Sequence, residues 1–140
     1  MPRETALDKV LRLTAAAPRR PEPYVGSATV HPDDFRRVVF TSPLSQLTVM
    51  TLRPGEDIGT EVHKDADQLF VLLSGSGMAI LNGVSSKVTP LSLLAVPRGT
   101  QHNVVNTGKT PMELVTFYSP PKHPPGTVHR TKADALAAHE

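Results

Sequence analysis

The chain has 140 residues, contains no cysteine and carries a formal net charge of +2 at pH 7. This length corresponds to a single domain with a hydrophobic core, and the lack of cysteine excludes disulfides and thiolate metal ligands. No run of like charges marks a surface for nucleic acid or membrane, and no apolar stretch is long enough to span a bilayer. The composition therefore predicts a soluble, cytoplasmic protein whose partners include neither nucleic acid nor membrane.

Residues 1–23 form an N-terminal segment that differs in character from the rest of the chain. Leu7, Val10 and Leu11 fall at helical spacing, which predicts a short helix over residues 4–17. The prolines between residues 18 and 23 end that helix in a stiff Pro/Arg linker. A flexible leader and a segment that packs on a partner subunit are alternatives that the same residues allow.

Residues 24–120 read as a succession of short strands separated by glycine and proline. The pattern places strands at residues 38–41, 45–53, 59–63, 68–73, 78–81, 85–89, 91–96, 101–106 and 112–118. Asn82-Gly83 is the strongest hairpin signal in the chain. Roughly eight to ten short strands in one small domain predict an all-β fold, a small antiparallel β-barrel or jelly roll.

Residues 121–140 form a tail in which prolines exclude pairing in the middle of a sheet. His123 and His129 flank a Pro-Pro-Gly turn, and they either hold the tail against the barrel, lie in solvent, or serve as additional ligands or proton carriers. The stretch from Thr131 to Ala138 predicts a short helix with a threonine cap. The barrel is thus expected to carry short terminal helices.

Polar side chains cluster around the third and fourth predicted strands. Glu61 and His63 are two residues apart, so on a strand they share a face. The link over residues 64–67 is long enough to reverse the chain, and an antiparallel return brings Gln68 close to His63. His102 lies in a second stretch marked by glycine and proline. One carboxylate, one amide oxygen and two imidazoles predict a site for a divalent transition metal.

These residues resemble the first motif of the cupin superfamily of small β-barrels, Gly-x5-His-x-His-x(3–4)-Glu-x6-Gly. Every spacing of the motif is kept here by Gly55, Glu61, His63, Gln68 and Gly75. Glu61 stands where the motif has its first histidine, and Gln68 stands where it has glutamate. The carboxylate has therefore moved within the expected ligand set and is not lost.

The second cupin motif, Gly-x5-Pro-x-Gly-x2-His-x3-Asn, also has a counterpart. Pro97, Gly99, His102 and Asn106 match it, but Leu91 stands in place of its first glycine. Asn106 falls at a strand end, where we expect a role in the turn. Residues 123–129 further resemble a His-x-x-Gly-Thr-x-His tail found in small single-domain cupins.

The resemblance implies one divalent metal, Zn, Fe, Mn, Co or Ni, held by Glu61, His63, Gln68 and His102. A neutral amide oxygen is the weak donor of this set, so Gln68 alternatively hydrogen-bonds a metal-bound water. The remaining ligands are two histidines and one carboxylate, a set that suits non-haem Fe(II) or a zinc-bound water. A metal-free cupin that binds its ligand directly through the histidines is the alternative, and it predicts basic residues in the barrel mouth.

Strand alternation from Gln68 places Phe70 and Leu72 inward, and alternation from His102 does the same for Val104. These three residues are the predicted apolar walls of the pocket, which argue against a phosphosugar ligand.

Two functions remain open. The first is a metal-dependent oxygenase, isomerase or lyase that acts on a small carbonyl or hydroxy compound, with Glu61 doubling as a base. The second is a binding module that holds a small molecule or metal without turnover. Cupins commonly dimerise through their sheets, so we also expect a homodimer.

Overall fold

The computed structural model describes residues 21–28 and 33–138. Within these ranges the chain forms ten strands and one helix, in this order: β1 (Arg36–Thr41), β2 (Gln46–Leu52), β3 (Glu61–Val62), β4 (Asp67–Ser74), β5 (Gly77–Leu81), β6 (Val84–Val88), β7 (Leu93–Val96), β8 (Gln101–Asn106), β9 (Met112–Ser119), β10 (Val128–His129) and α1 (Lys132–Ala138). Among these residues, no helical segment has the length and apolar character needed to span a bilayer. The helix predicted over residues 4–17 lies outside the described residues.

The strands form two sheets in which neighbouring strands are antiparallel. The larger sheet has the order β10-β1-β2-β9-β4-β7, and the smaller sheet has the order β3-β8-β5-β6. Strands such as β2 and β9 are neighbours although they are far apart in sequence, which distinguishes a jelly roll from a simple meander. The predicted all-β antiparallel barrel or jelly roll is confirmed.

Side-chain alternation along the strands places apolar residues between the two sheets. On β4, Gln68, Phe70 and Leu72 are buried, whereas Leu69 between them is half exposed. The core cluster consists of Phe35, Met50, Leu52, Ile58, Phe70, Leu72, Ala79, Val88, Leu94, Val96, Val104, Met112 and Leu114. Each large apolar side chain removed from water in this way stabilises the fold by about 1.5–3 kcal/mol.

The predicted hairpin at Asn82-Gly83 joins β5 to β6. Leu81 and Val84 are cross-strand partners on either side of the turn. Asn82 has a φ of 48° and Gly83 a φ of 80°. Positive φ at both central residues is typical of a type I′ turn, whose twist matches that of the flanking strands. This part of the prediction is confirmed.

The predicted antiparallel return of β4 onto β3 is wrong. β3 pairs with β8 in the smaller sheet, whereas β4 pairs with β7 on one side and β9 on the other in the larger sheet. Because both edges of β4 already have partners, no edge is left for β3. The link between residues 63 and 67 therefore carries the chain from one sheet to the other.

The C-terminal tail is held against the barrel by hydrogen bonds from a buried glutamine. Gln46 Nε2 donates to the His123 carbonyl at 2.7 Å, and Gln46 Oε1 accepts from the backbone amides of Lys122 and His123 at 3.2 and 3.0 Å. β10 then pairs with β1, and α1 follows. Thr131 Oγ1 accepts from the Asp134 amide, and the Asp134 carboxylate accepts from the Thr131 amide. This capping box starts the helix as the sequence predicted.

Candidate metal centre

Three potential ligands meet where β3 lies beside β8. Glu61 and His102 are direct cross-strand partners, and His63 follows β3 on the same side as Glu61. Glu61 Oε2 lies 3.2 Å from His63 Nε2 and 3.9 Å from His102 Nε2. One donor atom from each residue can be chosen so that all three lie within 4.8 Å of one another. The distances suit three ligands around one ion.

The two imidazoles are buried in a way that leaves a nitrogen available. His63 is 8% exposed and His102 is 1% exposed, and the Nε2 atom of each is buried without a hydrogen bond of good geometry. His102 Nδ1 lies 3.0 Å from the Thr100 carbonyl, which can only accept, so Nδ1 carries the proton. This tautomer leaves the Nε2 lone pair directed at the centre, as in most histidine metal ligands.

The protonation states of the cluster also fit a metal. Burial by itself raises the pKa of Glu61, but hydrogen bonding and charge from His63, with the charges of Arg36 and His102, bring it below its usual value. Burial holds the pKa of His102 below its usual value, and the hydrogen bond to the Thr100 carbonyl only partly opposes this. At neutral pH the centre therefore offers a carboxylate anion and a neutral His102 imidazole.

Gln68 approaches the interior from the opposite sheet. Its side chain is 2% exposed and its Oε1 is buried with no hydrogen-bond partner. Gln68 is the cross-strand partner of Tyr118, whose ring lies 5.8 Å from the His63 ring. Cross-strand partners share a face of the sheet. The unpaired amide oxygen fits a fourth donor or a partner for a bound water, and its role as a ligand stays a prediction.

The predicted wall residues Phe70, Leu72 and Val104 are all at most 1% exposed. The Phe70 ring lies 6.2 Å from the His102 ring, so it packs beneath the candidate centre. The cavity that opens to solvent beside Glu61 and His63 is lined by other residues. A role of the three apolar residues as pocket walls stays a prediction.

Two residues near the centre were missed by sequence reasoning. Tyr118 is 1% exposed, and burial raises its pKa to about 12. Its inward position follows from alternation with Leu114 and Thr116 on β9, which is a signal that the sequence contains. Arg36 is 6% exposed and shares the inward side of β1 with Val38. A cation at an inward strand position is unusual and is the signal that identifies it.

The tail histidines pack against the barrel. His123 is 8% and His129 is 6% exposed. His123 Nε2 lies 3.3 Å from the Tyr118 hydroxyl, and His129 Nδ1 lies 3.3 Å from Arg36 Nη1. Of the alternatives raised above, the one in which they hold the tail against the barrel is confirmed.

Asn106 has the expected turn role. It is fully buried, its Nδ2 donates to the carbonyls of Leu52 and Thr110, and its Oδ1 accepts from the Gly108 amide, all at 2.9 Å. The asparagine therefore closes the turn after β8 and ties it to β2.

A family model described as a cupin domain matches residues 48–118, from β2 to β9 and including both sequence motifs. The chain belongs to the cupin family. This cupin is 42% identical over 129 residues to the uncharacterized protein YrkC of Bacillus subtilis (strain 168), with 86% of the chain and 69% of YrkC covered.

Solved structures agree with this assignment. The crystal structure of BH2720 from Bacillus halodurans is 38% identical, with a TM-score of 0.81, and the match covers 85% of this cupin and 97% of BH2720. An uncharacterized conserved protein with a double-stranded beta-helix domain from Klebsiella pneumoniae is 20% identical, with a TM-score of 0.65 and coverage of 77% and 98%. At this lower identity the likeness concerns the fold alone.

Proposed function

We propose that this cupin binds one divalent transition metal at Glu61, His63 and His102 and acts as a metal-dependent enzyme on a small carbonyl or hydroxy compound. The observation that carries the proposal is the meeting of a carboxylate with two buried imidazole nitrogens, neither of which makes a hydrogen bond of good geometry. Two histidines and one carboxylate leave coordination positions open. Nitrogen and oxygen donors suit Zn, Fe, Mn, Co or Ni.

Each residue of the candidate centre has its own role in holding the metal. A metal bound there would act as a Lewis acid or activate oxygen. Glu61 supplies the anionic charge, and its lowered pKa makes it a better ligand than base. His102 is oriented by the Thr100 carbonyl, and Gln68 has a buried amide oxygen without a hydrogen-bond partner on the facing sheet. The base role of Glu61 stays a prediction.

The test begins with the metal itself. Elemental analysis of the purified protein identifies the ion, with about one per chain expected. Anaerobic reconstitution with Fe(II), followed by oxygen uptake over a panel of β-diketones and 2-oxo acids, then tests the oxygenase branch. His63→Gln should abolish metal retention, whereas Gln101→Ala, an exposed neighbour of His102 on β8, should not. Absence of turnover with every metal tried would count against an enzyme.

A second candidate function is a binding module without turnover. It is favoured by the basic side chains of Arg36, Lys122 and Lys132, which line the cavity beside Glu61 and His63. Basic residues in the barrel mouth are what a metal-free site for an anionic ligand requires. A ligand that stays bound through purification and is unchanged after incubation would support this alternative.

We also propose that the protein is a homodimer. On the outer face of the larger sheet, Leu69 on β4 is 51% exposed and Leu93 on the edge strand β7 is 78% exposed. β7 has no second partner among the described strands, and apolar side chains beside such an edge are a common site of association. A cytoplasmic location stays a prediction from the composition.

A further inference from the structure

A cavity of about 220 Å³ opens between the barrel mouth and α1, directly beside the candidate metal centre. Glu61 and His63 line it, so whatever occupies it lies next to two of the three proposed ligands. Arg36, Lys122 and Lys132 line it as well. The cavity thus combines two of the proposed metal ligands with three cationic side chains.

Arg36 is the least expected of these cations, because its side chain is buried and its described contacts are with the rings of His129 and Phe35. Its Nη1 lies 3.3 Å from His129 Nδ1, and its guanidinium lies 5.3 Å from the centre of the Phe35 ring. Arg36 Nε is buried without a partner. Burying a guanidinium is costly unless an anion compensates it.

No described carboxylate compensates Arg36 at ion-pair distance. In the described part of the chain, Asp34 pairs with the neighbouring Arg37, Asp57 pairs with Lys132, and Glu61 contacts the two histidines. The charge of Glu61 acts on Arg36 only from beyond ion-pair distance, so no described acid forms a direct pair with the guanidinium. The buried guanidinium thus has one donor without a hydrogen bond, and it belongs to a side chain that lines the cavity.

The remaining walls limit the size and charge of an anion that fits this cavity. Phe35 and Ile58 are buried apolar residues, and Ala135 and Leu136 contribute the apolar side of α1. Glu61 already brings one negative charge to the cavity. A compact monoanion with a hydrocarbon part fits these walls better than a doubly charged phosphate.

We propose that this cavity binds a small organic acid. The carboxylate of the acid pairs with the Arg36 guanidinium, and the Lys122 ammonium adds a second positive charge. Arginine suits this role because its planar donors match a carboxylate. The proposal rests on the proposed function, since it places the rest of the acid beside Glu61 and His63. It narrows the substrate class from small carbonyl or hydroxy compounds to small oxo or hydroxy acids.

Pyruvate is a suitable probe because pyruvamide has nearly the same shape without the charge. Binding of both is measured by isothermal titration calorimetry at low ionic strength, on the full chain loaded with Zn(II) and again after treatment with EDTA. Pyruvate should bind at least about tenfold more tightly than pyruvamide. Inorganic phosphate is titrated as a second anion and should bind more weakly than pyruvate.

Adjacent arginines on β1 provide a matched pair of variants. Arg36→Gln should weaken pyruvate binding about tenfold or more, because it removes the buried donors. Arg37→Gln removes the same charge from the outer side of the strand, where it pairs with Asp34, and should change binding by less than about twofold. Circular dichroism checks that both variants fold. Lys122→Gln, at an exposed position, should weaken binding about threefold even if Arg36→Gln does not fold.

The outcomes separate this proposal from the metal centre. Equal binding of pyruvate and pyruvamide, or pyruvate binding unchanged in both the Arg36 and Lys122 variants, would overturn the carboxylate site. Phosphate binding more tightly than pyruvate would overturn the assignment to a carboxylate. If the protein binds no metal but still binds pyruvate through Arg36 after EDTA treatment, the carboxylate site is supported and the metal centre is disproved. If the protein binds metal but its pyruvate binding does not depend on Arg36, the metal centre is supported and the carboxylate site is disproved.

Discussion

Glu61 on β3 and His102 on β8 are direct cross-strand partners, and Glu61 Oε2 lies 3.9 Å from His102 Nε2. The separation of these two candidate ligands is therefore set by the backbone ladder between their strands. His63 reaches the same carboxylate oxygen from the end of β3. A site mounted on paired strands is held more rigidly than one on loops. Metal binding at this cupin centre should consequently be coupled to the stability of the barrel.

Zinc should raise the melting temperature of the wild-type protein. A ligand that binds only the folded state stabilises it by about 2.7 kcal/mol at one hundred times its dissociation constant. His63→Gln removes one imidazole at the rim of the site and should abolish most of this gain. Melting followed by circular dichroism with and without Zn(II) measures the effect, with Gln101→Ala as the control. If Zn(II) raises the melting temperature of wild type and His63→Gln equally, the metal does not bind at the proposed centre.

Alkaline pH should destabilise the protein through Tyr118. Burial raises the pKa of Tyr118 to about 12, whereas the unfolded chain loses this proton near 10. The unfolded state therefore deprotonates first as pH rises. The stabilisation is fully present below pH 10 and is lost progressively between pH 10 and 12, up to about 2.7 kcal/mol for two pKa units.

The free energy of unfolding in urea is measured at pH 8 and pH 10.5 for the wild-type protein and for Tyr118→Phe, which lacks the titrating hydroxyl. The loss of stability at the higher pH should be smaller in Tyr118→Phe than in wild type. Tyr24→Phe changes a half-exposed tyrosine and should behave like wild type. If all three proteins lose the same stability, Tyr118 is not the cause.

Leu91 is strained at the position where the second cupin motif has glycine. Its φ is 72° and its side chain is 75% exposed. A residue with a Cβ pays about 1–2 kcal/mol in this left-handed region, and glycine does not. Leu91→Gly should therefore be more stable than Leu91→Ala by about 1 kcal/mol in urea unfolding.

Both variants remove the leucine side chain beyond Cβ and differ only in whether Cβ is present. The difference between their stabilities therefore measures the effect of Cβ on the backbone at position 91. The same pair at Leu93, in the regular strand β7, should show the opposite order, with alanine the more stable. Alanine equal to or better than glycine at Leu91 would contradict the strain.

Leu93→Lys should convert a dimer into a monomer. A lysine on the edge strand β7 brings charge into the proposed contact and is a common means of preventing association between sheet edges. Light scattering across a range of protein concentrations measures the mass. Val84→Lys, at an exposed position on β6 in the other sheet, should leave the dimer intact. A wild-type protein that is monomeric throughout would disprove the homodimer.

Much of the strand pattern could be predicted because it depends on neighbours in sequence. The alternation on β4 identified Gln68 and Phe70 as inward residues, and Asn82-Gly83 marked a turn whose positive φ values need those residue types. The pairing of strands could not be predicted in the same way. β3 and β4 are close in sequence yet belong to different sheets, because β4 is bordered by β7 and β9.

The sequence by itself determined the side of each strand that is apolar, the shared side of Glu61 and His63, and the donor types available to a metal. These are local properties, since successive side chains on a strand point in opposite directions. Only the tertiary structure decided that His102 faces Glu61 across a ladder and that Arg36 lies buried beneath the folded-back tail. Such contacts join segments far apart in the chain, so they depend on how the whole barrel packs and leave no periodic trace in either segment.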